Sequence, residues 1–416
     1  MISTSLHVTG NLGCVEDLCY LNVDRMTIKG EIVAVLCTVF ACVSGANAQP
    51  ASAPKASNFP VQLEMRVPFE PTAFPSAGRN YLTYELHLTN FAGNPLTLRR
   101  LEVFAVAAKP AKPIAAFEAE QLGTLLQPVG SDTRANGSSD RLQLAAGGSV
   151  VIFLWITFDR SEHIPSKLRH RIYTTDSTVE GAVIDTHHGR LHVLAPPVKG
   201  MNWLSADAPS NDPENHHRRG ILVFDARAQI SRRYAIDWLQ AENGAKFSGD
   251  AADKHSYYAY GEPVLAVADG RVVTAKDGLP ENVPRHNGAF RPAIPITLET
   301  VGGNTITLDL GGGQFAHYMH LQPGSLRVKA GDRVRRGQEM GRIGGSGDAR
   351  DPHLHFEVTT SPRLLTGEGV PYLIDRYRVK SADGSWQLRT RELPLKDMLI
   401  DFGPRVMSKK PLRKTP

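Results

Sequence analysis

The segment Asp351-Pro352-His353-Leu354-His355-Phe356-Glu357-Val358 reads as a β-strand, and the rest of the chain can be placed relative to it. Alternate side chains of a strand share a face, so His353 and His355 point one way while Leu354 and Phe356 enter a core. Two imidazoles are thereby aimed at one small volume. Imidazole nitrogen binds zinc and titrates near neutral pH, so neighbouring imidazoles can divide the work, one holding a metal and one handling protons. Taken alone, His-x-His on a strand is also an ordinary solvent-facing alternation. The reason to prefer chemistry lies upstream.

Toward the N-terminus the pattern stays β. Thr305 to Leu310, Gln314 to Leu321 and Val328 to Val334 are short β-prone runs, and the strand bearing His353 and His355 closes the series. Tyr260 to Val273 reads as two strands around an Asp269-Gly270 hairpin turn, and Ile221 to Trp238 as a long hairpin turning at Asp225-Ala226-Arg227-Ala228. From about Val61 to Leu194, alternating runs such as Leu82 to Thr89 and the apolar Val150 to Ile156 are punctuated by Asn90, Gly93-Asn94-Pro95 and Gly147-Gly148. With no helix-period stretch between these strands, the expectation is an antiparallel β-sandwich of the immunoglobulin-like kind. Asp185, His187, His188 and His192 cluster near its end, and they read as polar residues around a hairpin turn at Gly189 rather than as metal ligands. Ala195-Pro196-Pro197 marks a boundary.

A length of 416 residues with 41% hydrophobic and 21% charged side chains describes a folded protein of more than one domain. The net charge of +5 suits an anionic partner such as a bacterial cell wall. No recognition helix or nucleic-acid module accompanies it, so no nucleic-acid partner is expected. Lys29, the apolar run Ile32 to Val43 and Ala46-Asn47-Ala48 form a secretory signal peptide over residues 26–48, too short and wrongly flanked for a stable membrane span. On that reading residues 1–25 lie upstream of the true start at Met26, and the mature chain is expected to begin at Gln49 with no integral membrane span. Cys14, Cys19, Cys37 and Cys42 all precede that cleavage point, so no cysteine remains as nucleophile, zinc ligand or disulfide partner.

The second half resembles the lysostaphin or LytM-type zinc peptidases of family M23. The resemblance runs from about Arg233 to Val358 and rests on an ordered set: Asp237; the Gly-x-Pro-Val-x-Ala pattern from Gly261 to Val272; Tyr-x-His-Leu at 318–321; Gly-Asp-x-Val-x-x-Gly-Gln at 331–338; and Pro-His-Leu-His-Phe-Glu at 352–357. The 331–337 turn alone also occurs in biotinyl and lipoyl carriers, but no lysine sits at a suitable hairpin tip among the following strands. The resemblance implies a lysostaphin-like antiparallel β-sheet peptidase domain with a Zn2+ cofactor. It further implies that Asp237 and His355 are zinc ligands, and that His320 and His353 flank the reacting water and stabilise charge on the attacked carbonyl. His317 shares a strand with His320 but, three residues away, is expected to face the other side.

One departure matters. The family usually has a histidine four residues before the ligand aspartate, and here Arg233 stands there, a guanidinium that stays protonated and cannot ligate zinc. A hairpin folded about Ala226 would place Ala235 opposite His217 and Asp237 opposite Asn215, so His217 would project from the face of Asp237 and replace the missing ligand. A register slip of one would favour His216, and His255 is the next candidate.

The expected architecture is all-β: an immunoglobulin-like sandwich over 60–195, a peptidase domain over 200–380 and a C-terminal extension over 381–416. The expected function is a secreted or periplasmic zinc endopeptidase acting on peptide cross-links of peptidoglycan. The rival is a degenerate, non-catalytic domain that binds peptidoglycan or activates another hydrolase, for which Arg233 is the supporting feature. On the export reading, N-terminal sequencing of the secreted protein should begin at or near Gln49. Recovery of an intact cytoplasmic chain still carrying Cys14 contradicts it.

Overall fold

A computed structural model describes residues 59–107, 112–130, 140–284 and 290–403. The expected signal peptide, all four cysteines and the basic 409–414 tail lie outside the described residues. No helix among the described residues is long and apolar enough to cross a membrane.

The chain is nearly all β, as its alternation predicts. Two five-stranded antiparallel sheets form the first half, one ordered around Arg79–Asn90 and Ser149–Asp159, the other around Leu96–Ala105 and Lys167–Thr174. Leu82, Tyr84 and Leu86 of the first sheet and Leu98, Leu101 and Val103 of the second share one apolar core. The described part of this half is not free of helix: Ala119–Leu125 forms a seven-residue helix that buries Leu122 and Leu125 against that core.

The second half is an eleven-stranded sheet. At its centre Leu354–Thr359 lies between Ile236–Gln240 and Gln314–Leu321, with Asp237 opposite His355 on one side and Met319 opposite His355 on the other. Leu354, Phe356 and Val358 are fully buried, and the Phe356 ring meets Tyr318 and Tyr372 at centroid distances of 5.1 and 5.3 Å. Burial of each such side chain contributes roughly 1.5–3 kcal/mol. This strand is central rather than last, because three more follow it. Leu399–Asp401 pairs with both Trp203–Ala206 and Leu373–Lys380, and Trp386–Glu392 flanks the latter. Residues beyond 380 therefore supply interior pairing.

Phe74 and Tyr81 of the sandwich share an apolar cluster with Tyr234 of the 231–234 turn and with Ile236 and Trp238 of the large sheet, so the two halves have a common core. The chain crosses between them at Gly189, where no hairpin forms. His187 bridges to Thr72 and its Nε2 lies 2.9 Å from Glu70, while Val193–Leu194 pairs with Leu373–Lys380.

Two other hairpin expectations are also corrected. Pro263–Leu265 pairs with Glu339–Arg342, whereas Gly270–Lys276 pairs with Asn304–Gly311 and Arg333–Val334, so Asp269-Gly270 joins strands of different sheets. Glycine is needed at 270 for a different reason: a Cβ there would stand 2.6 Å from the Asp309 carbonyl oxygen of the neighbouring strand. The hairpin around Asp225-Ala226 is real but short, pairing Leu222–Phe224 with Arg227–Gln229 before a 3-10 turn at Ser231–Tyr234 ends it. It never reaches Asp237, whose strand pairs instead with Trp203–Ala206 and with Leu354–Thr359.

Candidate metal centre

His355, Glu357 and Thr359 occupy the face of the central strand opposite Phe356, and this polar face is buried too. Polar groups taken out of water must find partners. His355 Nδ1 lies 2.9 Å from Asp237 Oδ1, and its Nε2 lies 3.3 Å from Glu357 Oε2. Glu357, two residues on and therefore on the same face, thus braces His355 from behind. Sequence reasoning left it without a role, although its spacing from His355 was the available clue.

His217 reaches the same carboxylate by a route other than the expected hairpin. Buried Asn215 folds the 207–218 loop: its amide donates to the carbonyls of Asp207 and Ala208 at 3.2 and 2.9 Å, and its Oδ1 accepts the His217 backbone N–H at 2.9 Å. The His217 ring, in a residue only 1% exposed, then packs 4.8 Å from that of His355, with Nε2 3.5 Å from Asp237 Oδ1. His216 stays at the rim, its side chain 41% exposed, with Nδ1 3.5 Å from Asp207 and Nε2 3.9 Å from Asp237.

His353 and His320 complete the ring of imidazoles. His353 Nε2 is 3.6 Å from Asp237 Oδ1, and the His320 ring lies 4.8 Å from that of His353 and 6.0 Å from that of His355. His320 enters from the end of its strand with φ +66°, a left-handed conformation uncommon outside glycine. That twist turns its side chain into the site. The expectation for His317 is corrected: register sets it opposite Glu357, on the same face as His355. What removes it from the site is its own bonding, to Thr307 Oγ1 at 3.0 Å and Thr359 Oγ1 at 2.9 Å. His255 is exposed and bonded to Asp253 at 2.7 Å, away from the cavity. Arg233 has left the site altogether, donating from Nε to Glu85 of the sandwich at 2.8 Å.

Three of these imidazoles share one arrangement. Nδ1 of His217 faces the Asp207 carbonyl at 2.7 Å, Nδ1 of His320 the Ser346 carbonyl at 2.8 Å, and Nδ1 of His353 the Asp351 carbonyl at 2.7 Å. A carbonyl only accepts, so each Nδ1 carries the proton and, in the neutral ring, leaves Nε2 with its lone pair. Burial first of all holds His217 and His320 well below the usual histidine range, hence neutral. Burial alone would raise Asp237, but His217, His353 and His355 outweigh it and hold the carboxyl well below its usual range.

The result is a lone pair on His217 Nε2 facing a carboxylate oxygen, with no hydrogen-bond partner for that nitrogen. Two electron-rich atoms so placed in a buried site call for a cation between them. His216, His217 and Asp237 offer ligand atoms within 4.8 Å of one another, and among the described residues they form the single such group. Of the two histidines in that group the buried, unpartnered His217 is the better donor, because His216 is half in solvent beside Asp207. His355 adds a nitrogen at Asp237. A zinc site of imidazole and carboxylate ligands fits this donor set. Beside it opens a cavity of about 300 Å³, lined in part by Arg232, Lys246, Arg350 and Leu365.

Without metal, His355 behaves differently from its neighbours. Burial would lower it, but the hydrogen bonds and charges of Asp237 and Glu357 outweigh that and lift it from 6.5 to about 9. A raised folded-state value stabilises fully below the unfolded value and is lost as pH climbs through the folded one. Chelator-treated protein should therefore lose thermal stability between pH 6.5 and about 9, and His355→Gln should flatten that limb. A wild-type curve that is level across this window contradicts the assignment.

Residues 256–366 match the model of peptidase family M23. The cell division protein DipM of Caulobacter vibrioides is 28% identical over 174 residues, which cover 41% of this chain and 24% of DipM. The peptidoglycan DD-endopeptidase ShyA of Vibrio cholerae is 36% identical over 85 residues, 20% of this chain and 19% of ShyA. The chain thus spans about a quarter or less of the length of these relatives. The catalytic domain of the antimicrobial peptidase lysostaphin from Staphylococcus simulans is 22% identical with a TM-score of 0.21, covering 38% of this chain and 80% of that domain. The matched segment, residues 256–366, is the one that carries His320, His353 and His355, and it is similar to peptidase family M23.

Proposed function

We propose that this protein is a zinc-dependent endopeptidase, exported from the cytoplasm, that hydrolyses peptide cross-links of bacterial peptidoglycan. The observation that carries the reading is the unpartnered, buried Nε2 of His217 aimed at Asp237 beside His355. These three residues would hold the metal. The substrate class is supported by the relatives, one of which is named as a peptidoglycan DD-endopeptidase, and by the net charge of +5, which suits an anionic wall. A first domain over 60–195 is proposed with it, and a second from 200 that runs past the expected limit at 380 to include the Leu399–Asp401 strand.

Zinc supplies Lewis acidity toward an amide carbonyl at neutral pH. The chain supplies the rest. His320 and His353, each fixed by a backbone carbonyl at Nδ1, present Nε2 toward the cavity. From there one Nε2 can take the proton of the attacking water and, once protonated, pass that same proton to the departing amine as the C–N bond breaks. While it holds that proton, the Nε2–H can donate to the charged carbonyl oxygen and stabilise it. The left-handed backbone at His320 is a local cost retained where it aims a side chain.

Purified protein should contain about one zinc per chain, the stoichiometry of a single three-ligand site. His217→Ala and His355→Ala should lose it. His320→Ala and His353→Ala should keep zinc while turnover on purified peptidoglycan falls by about 10² to 10⁴. Unchanged hydrolysis in both of the latter variants removes the enzyme reading, and absence of zinc from the wild type favours the non-catalytic rival.

A further inference from the structure

Ligands on one segment set their own spacing, but His217 and Asp237 lie on separate segments that no strand pairing joins. Asn215 shapes the His217 loop from within. Where that loop sits must be fixed from outside, and most of its anchors belong to the sandwich. Arg218, the residue after His217 and 2% exposed, donates from Nη2 to the carbonyls of Thr124 and Leu125 at 3.1 and 3.2 Å. These are the last carbonyls of the helix Ala119–Leu125, which lack donors within the helix. Its Nη1 reaches back to the Asn211 carbonyl at 3.1 Å, and its guanidinium lies 4.3 Å from the centroid of the Phe153 ring. Asn211 in turn donates from Nδ2 to the Phe153 carbonyl at 3.0 Å. Arg233 closes the set, joining Glu85 of the sandwich at 2.8 Å to the Ser210 carbonyl of the loop at 3.0 Å. Lys396, part-exposed, ties the loop from the other half, with Nζ 3.3 Å from Asp212 and its backbone N–H donating to the Pro209 carbonyl at 3.4 Å.

We infer that the sandwich is a working part of the metal site, with Arg218 and Asn211 as the positioning residues through which it holds His217 in place. The inference rests on His217 being a metal ligand. Consecutive side chains of the loop face opposite ways, one toward Asp237 and the next into the sandwich. Because adjacent Cα atoms are fixed at about 3.8 Å, a shift of the Arg218 anchor is passed on to the imidazole. The arginine at 233 gains a meaning here: the position usually held by a ligand now ties down the loop that carries its replacement.

The test is a zinc titration of the chelator-stripped full chain against a competing chromophoric chelator, run well below the melting temperature of every variant. Arg218→Met keeps an apolar stem but cannot bond the carbonyls, and Asn211→Ala is the milder change should Arg218→Met fail to fold. Both should weaken zinc affinity about 10- to 100-fold, the usual effect of losing a group that orients a ligand. Leu168→Ala, in the sandwich core away from the loop, controls for general destabilisation and should leave affinity unchanged. Unaltered affinity in the loop variants overturns the inference, and so does an equal loss in Leu168→Ala. His217→Ala in the same series separates the two claims: if it binds zinc like the wild type, the ligand reading itself has failed.

Discussion

The structure turns on a strand that is buried on both faces while polar on one. Leu354, Phe356 and Val358 fill the core, and His355, Glu357 and Thr359 lie behind them without access to water. Each of these polar groups has to be matched, and the matches are Asp237 and His317 from the two neighbouring strands for His355 and Thr359, and His355 of the same strand for Glu357. The ladder that sets these pairs also brings Asp237 and Met319 opposite His355. Folding the sheet and assembling the site are consequently one event. Losing one member strands its partner in a dry interior, a cost of about 1–3 kcal/mol for each unsatisfied group and more when it is charged.

That economy leaves one position to be filled from elsewhere. Arg233 cannot coordinate a cation, and its charge is matched by Glu85 148 residues away in sequence. A buried guanidinium needs such a partner, and once bound to the sandwich it has no reason to return to the sheet. His217 comes into the gap on a loop folded by Asn215. The N-terminal half is joined to the site by this exchange, and it also shares the apolar cluster of Phe74, Tyr81 and Tyr234.

Much of this was legible in the residues. The all-β character followed from alternation, and the family from short ordered patterns ending in Pro352 to Glu357. His320, His353, His355 and Asp237 were singled out through those patterns; pairing sets Asp237 opposite His355, and the His320 and His353 rings lie 4.8 Å apart beside them. The hairpins were less legible, because an Asp-Gly step looks the same whether it turns a chain or lets a neighbouring strand pass close, as Gly270 does beside Asp309. His217 was singled out through a hairpin register that stops at Gln229, and its approach to Asp237 has a different cause, the Asn215 loop. The Arg233–Glu85 pair and the interior place of Leu399–Asp401 were invisible, since each depends on segments far apart in sequence. Alternation sets a local period but does not say which distant strand becomes a neighbour.

The central claim is that the site binds its metal with His217 in the position that Arg233 has vacated. Diffraction from crystals of the zinc-loaded protein, collected on both sides of the zinc absorption edge, tests it most directly. The account predicts one anomalous peak within bonding distance of His217 Nε2, Asp237 and His355, with Arg233 still paired to Glu85. A peak coordinated by His216 with His217 turned away, or a His217 ring left free while the metal sits on other groups, contradicts it.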